Sequence, residues 1–386
     1  MIDRIKLLIK VDINTDILLK NNFTKKATTI KICNPINNMF NIEERNYYNR
    51  SINKVYFSYC LETQIFIIEG RLINLTAIEN KISVLGDLAN TVYVVNNKNI
   101  VNVVSLYNEF KNINKLLYKL TNINLLIETF KVVKIEYCYN LYTEQVEEYI
   151  KILNKLFDSR PHKYHERYKA PNDYESCYIT KKRKNKKEKR KLDNYVVNFY
   201  NKENEISKRK NITRLDIDNS KNILRLEIKV QSRLLKSICN KNNINYKTRQ
   251  FGKFLYQDIS KAIIKNKYKY FFGSTDIDFY SYQKAKEIIQ NSNSKNKNHL
   301  LDYIYKLIKN NKSNKKDDEQ LLKLGINRIL TSGIDILPNP IKLLDDADNY
   351  NLFIIDGKHK QFDLRIKNDD KPNDINDRFN QLIETV

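Results

Sequence analysis

The sequence predicts an α+β protein, with a largely antiparallel sheet and flanking helices in its first part and a helical region after it. Two observations carry this expectation. Up to about residue 240, short runs of β-branched and aromatic residues repeat with a period of two between polar turns, the pattern of half-buried strands. Beyond that point the apolar residues move to helical spacing between soft polar linkers. The chain has 386 residues, 41% of them hydrophobic, enough for a sizeable core and for about two or three domains.

Arg4 to Val11, Thr28 to Ile32, Lys54 to Cys60, Ile65 to Leu72 and Val132 to Leu141 read as strands. Lys54 to Leu72 predicts a hairpin turning near Leu61-Glu62-Thr63-Gln64. Thr143 to Phe157 switches to a helix, because Val146, Ile150, Leu153 and Phe157 share one face and Thr143 stands as a cap before Glu147 and Glu148. A second hairpin pairs Tyr174 to Thr180 with Tyr195 to Tyr200, and Ile223 to Val230 is a strand leading into a helix over Ser232 to Cys239. Phe251 to Lys265, Ser281 to Gln290, His299 to Asn310 and Asp318 to Leu324 then carry helical periodicity. Composition divides the chain into a sheet domain over 1–245, a helical domain over 246–340 and an Asp-rich tail over 341–386, where Lys367 to Asp377 has little to bury.

Lys and Arg exceed Asp and Glu by 24, so the summed field attracts polyanions. Five cysteines are scattered without Cys-x-x-Cys spacing, which supports neither a disulfide framework nor a zinc site. Asp3 stands where a signal peptide is basic, and no apolar run reaches the length that spans a bilayer. A cytoplasmic, reduced protein without a membrane partner is the expectation.

The most informative segment is Phe199-Tyr200-Asn201-Lys202-Glu203-Asn204-Glu205-Ile206, which follows the strand-like Tyr195-Val196-Val197-Asn198. It places a phenol, an ammonium and a carboxylate within one turn of backbone. A tyrosine that attacks a phosphodiester needs the developing negative charge neutralised nearby, and Lys202 with an acid-bound metal ion answers that need. Alternation sends Glu136 to the face opposite Val133, Ile135 and Tyr137, and sends Glu227 to a polar face with Arg225 and Lys229. Carboxylates from two strands, Glu136 and Glu227, with Glu205 as a third, are oxygen donors suited to one Mg²⁺ or Mn²⁺. The bland alternative is that these acids only pair with Arg225 and the lysines across strands. His162 and His165, in Pro-His-Lys-Tyr-His, read as a solvated or phosphate-touching surface of a basic loop rather than as metal ligands.

In this order the motifs resemble the gene II/gene X replication initiator family of filamentous phages and phage-like plasmids. Similar elements are the opening Met1-Ile2-Asp3-Arg4-Ile5-Lys6-Leu7-Leu8-Ile9, the segment Phe66-Ile67-Ile68-Glu69-Gly70-Arg71-Leu72 through Glu79-Asn80, and Val133-Lys134-Ile135-Glu136-Tyr137. Phe199-Tyr200-Asn201-Lys202 with Glu205 is similar to the family's Tyr-x-Lys-x-x-Glu element, and Leu224-Arg225-Leu226-Glu227-Ile228 to its Arg-Phe-Glu strand. The likeness runs from residue 1 to about 240 and weakens over the helices to about 330. Glu136 stands where the family has Asp, and Glu79 where it often has His. The resemblance implies a metal-dependent nuclease that nicks one strand of a supercoiled replicon at its origin through Tyr200, leaving a 5′-phosphotyrosine and a free 3′-hydroxyl, and later rejoins the strand.

The loop after the second hairpin's first strand holds nine basic residues and one acid over Lys181 to Lys191. Lys181, Lys182, Arg183, Lys184, Lys186, Lys187, Lys189 and Arg190, with Arg225, are the expected phosphate-binding residues. Origin DNA, both supercoiled and single-stranded, is the expected partner, together with the host replication helicase and polymerase. Two other classes share the charge: a non-catalytic DNA-binding replication or partition protein, and an RNA-binding or ribosome-associated protein. The RNA-binding class leaves the ordered acids and the Tyr-Asn-Lys element without a role.

Overall fold

The computed structural model describes residues 2–33, 40–72, 75, 103–160, 162–168, 175–182, 195–208, 214–231, 233–255, 257–273, 276–310 and 314–342. It is α+β, with a large antiparallel sheet and helices before, between and after its strands. The chain folds as two compact units interleaved along the sequence: one contains Met1–Tyr137 and Lys229–Ser260, the other Cys138–Ile228 and Lys261–Tyr350. Composition divides the chain in linear order instead, at about 245 and 340.

The first unit carries strands β1 (Ile2–Lys10), β2 (Thr24–Cys33), β3 (Phe40–Ile52), β4 (Val55–Cys60) and β5 (Ile65–Arg71), and the start of β6 (Lys131–Tyr142). Their order is β2-β3-β4-β5-β1-β6, and each of these pairings is antiparallel. Between β3 and β4 the chain turns at Asn53 and Lys54, with φ of 47° and 62°, the two positive values that a two-residue hairpin matched to the strand twist requires. Gly70 lets β5 lie close to β4, since a Cβ there would stand 3.0 Å from the Val55 Cα. The short helix α1 (Thr15–Lys20) is capped by Asn14, whose side chain accepts from the Asp16 amide.

Helix α2 (Val103–Thr121) buries Phe110, Ile113, Leu116, Leu117 and Leu120 along one stripe. Phe110 meets Phe251 of a 3-10 turn, Phe251–Phe254, and Tyr137 donates to the Phe254 carbonyl at 2.9 Å. A second 3-10 turn, Ile127–Thr129, carries Glu128 into this packing with 1% of its surface exposed and neither carboxylate oxygen in a well-formed hydrogen bond. Burial pushes the Glu128 carboxyl up to about 7, outweighing weaker opposing interactions with its own backbone and Asn114.

The second unit takes up the rest of β6 and adds β7 (His165–Tyr168), β8 (Ser176–Lys181), β9 (Tyr195–Asn201) and most of β10 (Ile223–Gln231), in the order β10-β9-β8-β7. Helix α3 (Val146–Asp158) buries Val146, Tyr149, Ile150, Leu153 and Phe157 as its spacing predicts. The Thr143 hydroxyl accepts from the Gln145 amide at 3.1 Å, just before the helix. Helices α4 (Lys202–Ser207) and α5 (Arg214–Ser220) link β9 to β10, and α6 (Arg233–Lys241), which belongs to the first unit, follows. Helix α7 (Gln257–Phe272) sets Tyr268 and Phe272 against Phe199 of β9, with ring centroids 6.5 and 5.6 Å apart. The final helices α8 (Tyr282–Asn291), α9 (Lys297–Asn310) and α10 (Lys315–Lys323) share their own apolar cluster, which includes Ala285, Ile289, Leu300, Ile304 and Leu321. Among the described residues no helix is long and apolar enough to cross a membrane.

Candidate active site

Tyr200 is the penultimate residue of β9, and its register partner on β10 is Arg225. Partners across an antiparallel pair share a face, and Glu227, two residues on, shares it as well. That face is polar in sequence yet buried: Arg225 has no exposed surface and Glu227 only 8%. The opposite face presents Val197 and Phe199 beside Leu224, Leu226 and Ile228 as core. Strand β10 is therefore covered on both sides, although its alternation reads as one wet face.

The chain turns sharply after Tyr200. Asn201 caps α4, its side chain accepting from the Asn204 amide at 3.2 Å. The turn carries Lys202 inward, where no part of it is exposed, and its Nζ donates to Glu205 Oε2 at 2.8 Å. The same ammonium lies 5.8 Å from the centroid of the Tyr200 ring.

The Tyr200 hydroxyl donates to Glu227 Oε1 at 2.8 Å, and Arg225 Nε donates to the same oxygen at 3.0 Å. Arg225 also reaches Asn140 Oδ1 at 3.4 Å and Cys138 Sγ at 3.2 Å. Burial alone would push the Glu227 carboxyl up, but the Arg225 and Lys202 charges and the hydrogen bonds from Tyr200 and Arg225 outweigh it and hold the group at about 2. Lys202 moves the other way. Burial, then repulsion from Arg225, brings its ammonium down to about 8 against the pull of Glu205 and Glu227.

Tyr200, Lys202, Glu205, Arg225 and Glu227 thus meet in one cluster within the second unit. Glu136 belongs to the first unit, 1% exposed, with Lys134 Nζ at 3.1 Å and Lys229 Nζ at 3.3 Å. Each of the three carboxylates expected to share an ion has its own cation, but only Glu136 with Lys229 pairs across strands, since Glu227 pairs with Arg225 on its own strand and Glu205 with Lys202 on its own helix. Among the described residues no three His, Cys, Asp or Glu side chains gather as a metal site would need. This donor set does not fit a three-carboxylate Mg²⁺ or Mn²⁺ centre, and no step below passes through a metal.

Lys181 and Lys182 are exposed at the end of β8. Arg183, Lys184, Lys186, Lys187, Lys189 and Arg190 lie outside the described residues, as do Glu79-Asn80 and most of the 341–386 tail. Sequence reasoning missed Asn140 and Cys138, which carry no signal beyond their place on β6. It also placed His162 and His165 on a solvated or phosphate-touching surface, whereas both rings are half-buried against aromatic side chains. His162 stacks on Phe157 with centroids 4.1 Å apart, and His165 stands edge-on to Phe271 at 5.0 Å. Burial, then the charges of Lys267, His162, Lys181 and Lys182, holds His165 down at about 4.

Comparison with protein-family models, with curated proteins and with solved structures finds no match to this chain. The case for its function rests on the residues.

Proposed function

We propose that this chain is a rolling-circle DNA replication initiator, a site-specific nickase that cuts one strand of a phage or plasmid origin through Tyr200 and later rejoins it. The observation that carries the reading is the Tyr200 hydroxyl bonded to the buried Glu227 carboxylate, with Arg225 and Lys202 gathered around the pair. The phenol oxygen attacks phosphorus, forming the phosphotyrosine bond as the bond to the 3′-oxygen breaks. Glu227 accepts the phenol proton in the transition state and later releases it to solvent, water supplies one to the departing 3′-oxygen, and Lys202, wholly buried, acts on the developing charge through its field. A carboxylate held at about 2 is a weak base, so Glu227 acts mainly by aiming the phenol. At about 8, Lys202 is still an ammonium at neutral pH and keeps the charge that this field needs. Arg225 offsets charge on the reacting phosphate.

A second reading has its own observation. Arg225 and Lys202 face Glu227 and Glu205, so the cluster is already neutral, as a structural ion-pair network would be. On that reading the protein binds replicon DNA without cutting it. Incubation with supercoiled origin DNA, in Mg²⁺, in Mn²⁺ and in chelator, followed by a denaturing gel, separates the two. A covalent protein–DNA band that disappears in Tyr200→Phe supports the nickase, and binding without a band in any condition supports the second reading.

A further inference from the structure

At the end of the β8–β7 hairpin distant from Tyr200, the second unit presents aromatic rings and cations together. Tyr164 is 62% exposed and Tyr270 50%. The Lys163 Nζ lies 5.3 Å from the centroid of the Tyr164 ring, and the Lys267 Nζ lies 5.6 Å from that of Tyr270. Lys181 pairs with His165 on β7, Lys182 donates its amide to the Tyr164 carbonyl at 2.9 Å, and both lysine side chains are exposed. Beneath them, His162, His165, Phe157 and Phe271 form a packed aromatic floor that holds Tyr270 at its rim. With His165 held at about 4, the imidazole is neutral at physiological pH and the charge of the patch comes from lysine.

We propose that this patch is a binding platform for single-stranded DNA, with Tyr164 and Tyr270 stacking bases while Lys163, Lys181, Lys182 and Lys267 hold the phosphates. Exposed rings beside cations match a polymer whose bases offer π-faces and whose backbone is anionic, and duplex DNA keeps its base faces hidden. The platform deepens the nicking reading and rests on it for the choice of DNA. It is a separate place from the site of cutting. Ser176 pairs with Tyr200 and Lys181 with His165, so the two places are about 17 Å apart along β8 at the usual rise per residue. By alternation along β8 they also face opposite sides of the strands. The platform holds the strand away from the scissile phosphate and has no part in the chemistry.

The test uses the full chain carrying Tyr200→Phe, so that no adduct forms, with fluorescence anisotropy of labelled oligo-dT, oligo-rU and a duplex of equal length. Tyr164→Ala and Tyr270→Ala, both on exposed rings and checked by circular dichroism, should each weaken oligo-dT binding by roughly 5- to 150-fold, the effect of losing one base stack. Duplex affinity should change less than two-fold. Lys181→Gln with Lys182→Gln should instead flatten the salt dependence, by about 0.7 in log-log slope for each phosphate no longer neutralised on a single strand. Unchanged oligo-dT affinity in both tyrosine variants overturns the platform, and equal losses on duplex overturn its single-strand character. Tighter binding of oligo-rU than of oligo-dT overturns the assignment to DNA. If the tyrosine variants behave as expected while the chain with Tyr200 intact forms no covalent band on origin DNA, the platform stands and the nicking reading falls.

Discussion

Glu128 offers a quantitative check on the packing of the first unit. Its carboxyl is held at about 7 in the fold against an ordinary value of 4.5, with burial as the largest cause. Between those two values the folded chain binds more protons than the unfolded chain. Stability therefore falls as pH rises through the window and is level above it. At 1.36 kcal/mol per pKa unit the loss amounts to about 3 kcal/mol. Glu128→Gln removes the ionisation while keeping the shape. Its buried amide adds a penalty of its own, about 1–3 kcal/mol, but that offset does not vary with pH. The measurement is urea unfolding followed by circular dichroism at several pH values from 4 to 8, taken as parent minus variant so that the opposite contribution of His165 cancels. The difference should swing by about 3 kcal/mol in favour of the variant across the window. Parallel curves would refute the reasoning and place Glu128 in water.

Tyr200→Phe should abolish any covalent adduct on origin DNA while leaving affinity within a few-fold, as read from a denaturing gel beside an anisotropy titration. Glu227→Gln should destabilise the second unit by about 3–5 kcal/mol in urea, because Arg225 and Lys202 then stand buried without their central carboxylate. Replacing Lys184, Lys186, Lys187 and Lys189 with Gln should lower the salt slope of duplex binding by roughly two to three units where two or three of the four each neutralise a phosphate, at about 0.9 apiece. A chain ending at residue 245 lacks Tyr268 and Phe272 and so leaves the Phe199 face of β9 bare. It should show no cooperative unfolding transition for the Tyr200 region and no cleavage even of a short oligonucleotide.

Strands with alternating apolar residues, β1, β4, β5, β6, β8, β9 and β10, were legible, and so was α3 from its 3.6-residue stripe. β3 was not, because Glu43, Glu44, Arg45 and Asn46 sit at its middle and such residues are depleted in strands. Of its neighbour β2 only Thr28 to Ile32 was legible, since the strand is exposed over most of its length and lacks the buried face that makes alternation visible. Helix α2 has the right stripe at Phe110, Ile113, Leu117 and Leu120, but Asn108, Asn112 and Asn114 interrupt it with residues that favour turns. At the candidate site the residue types were readable and their surroundings were not. Lys202 follows a strand, where lysine is normally wet, and only the Asn201 cap turns it inward. The polar alternation of Arg225, Glu227 and Lys229 signals a solvent face, and no local pattern reveals the elements that cover it.

The interleaving of the two units bears on how the chain is made. A ribosome delivers residues in order, and the first unit is left after Tyr137 partway along β6, to be resumed only at Lys229 partway along β10. Its 3-10 turn Phe251–Phe254, which carries the partners of Phe110 and Tyr137, reaches the tunnel exit after the whole of Cys138–Ile228. The second unit waits in turn for Lys261 onward, where Tyr268 and Phe272 arrive to cover Phe199. Neither unit closes while the other is unborn. The nascent chain therefore exposes strand edges and aromatic faces late into synthesis, a state that favours aggregation and chaperone capture, and one in which a premature stop before residue 251 leaves both halves of the protein open.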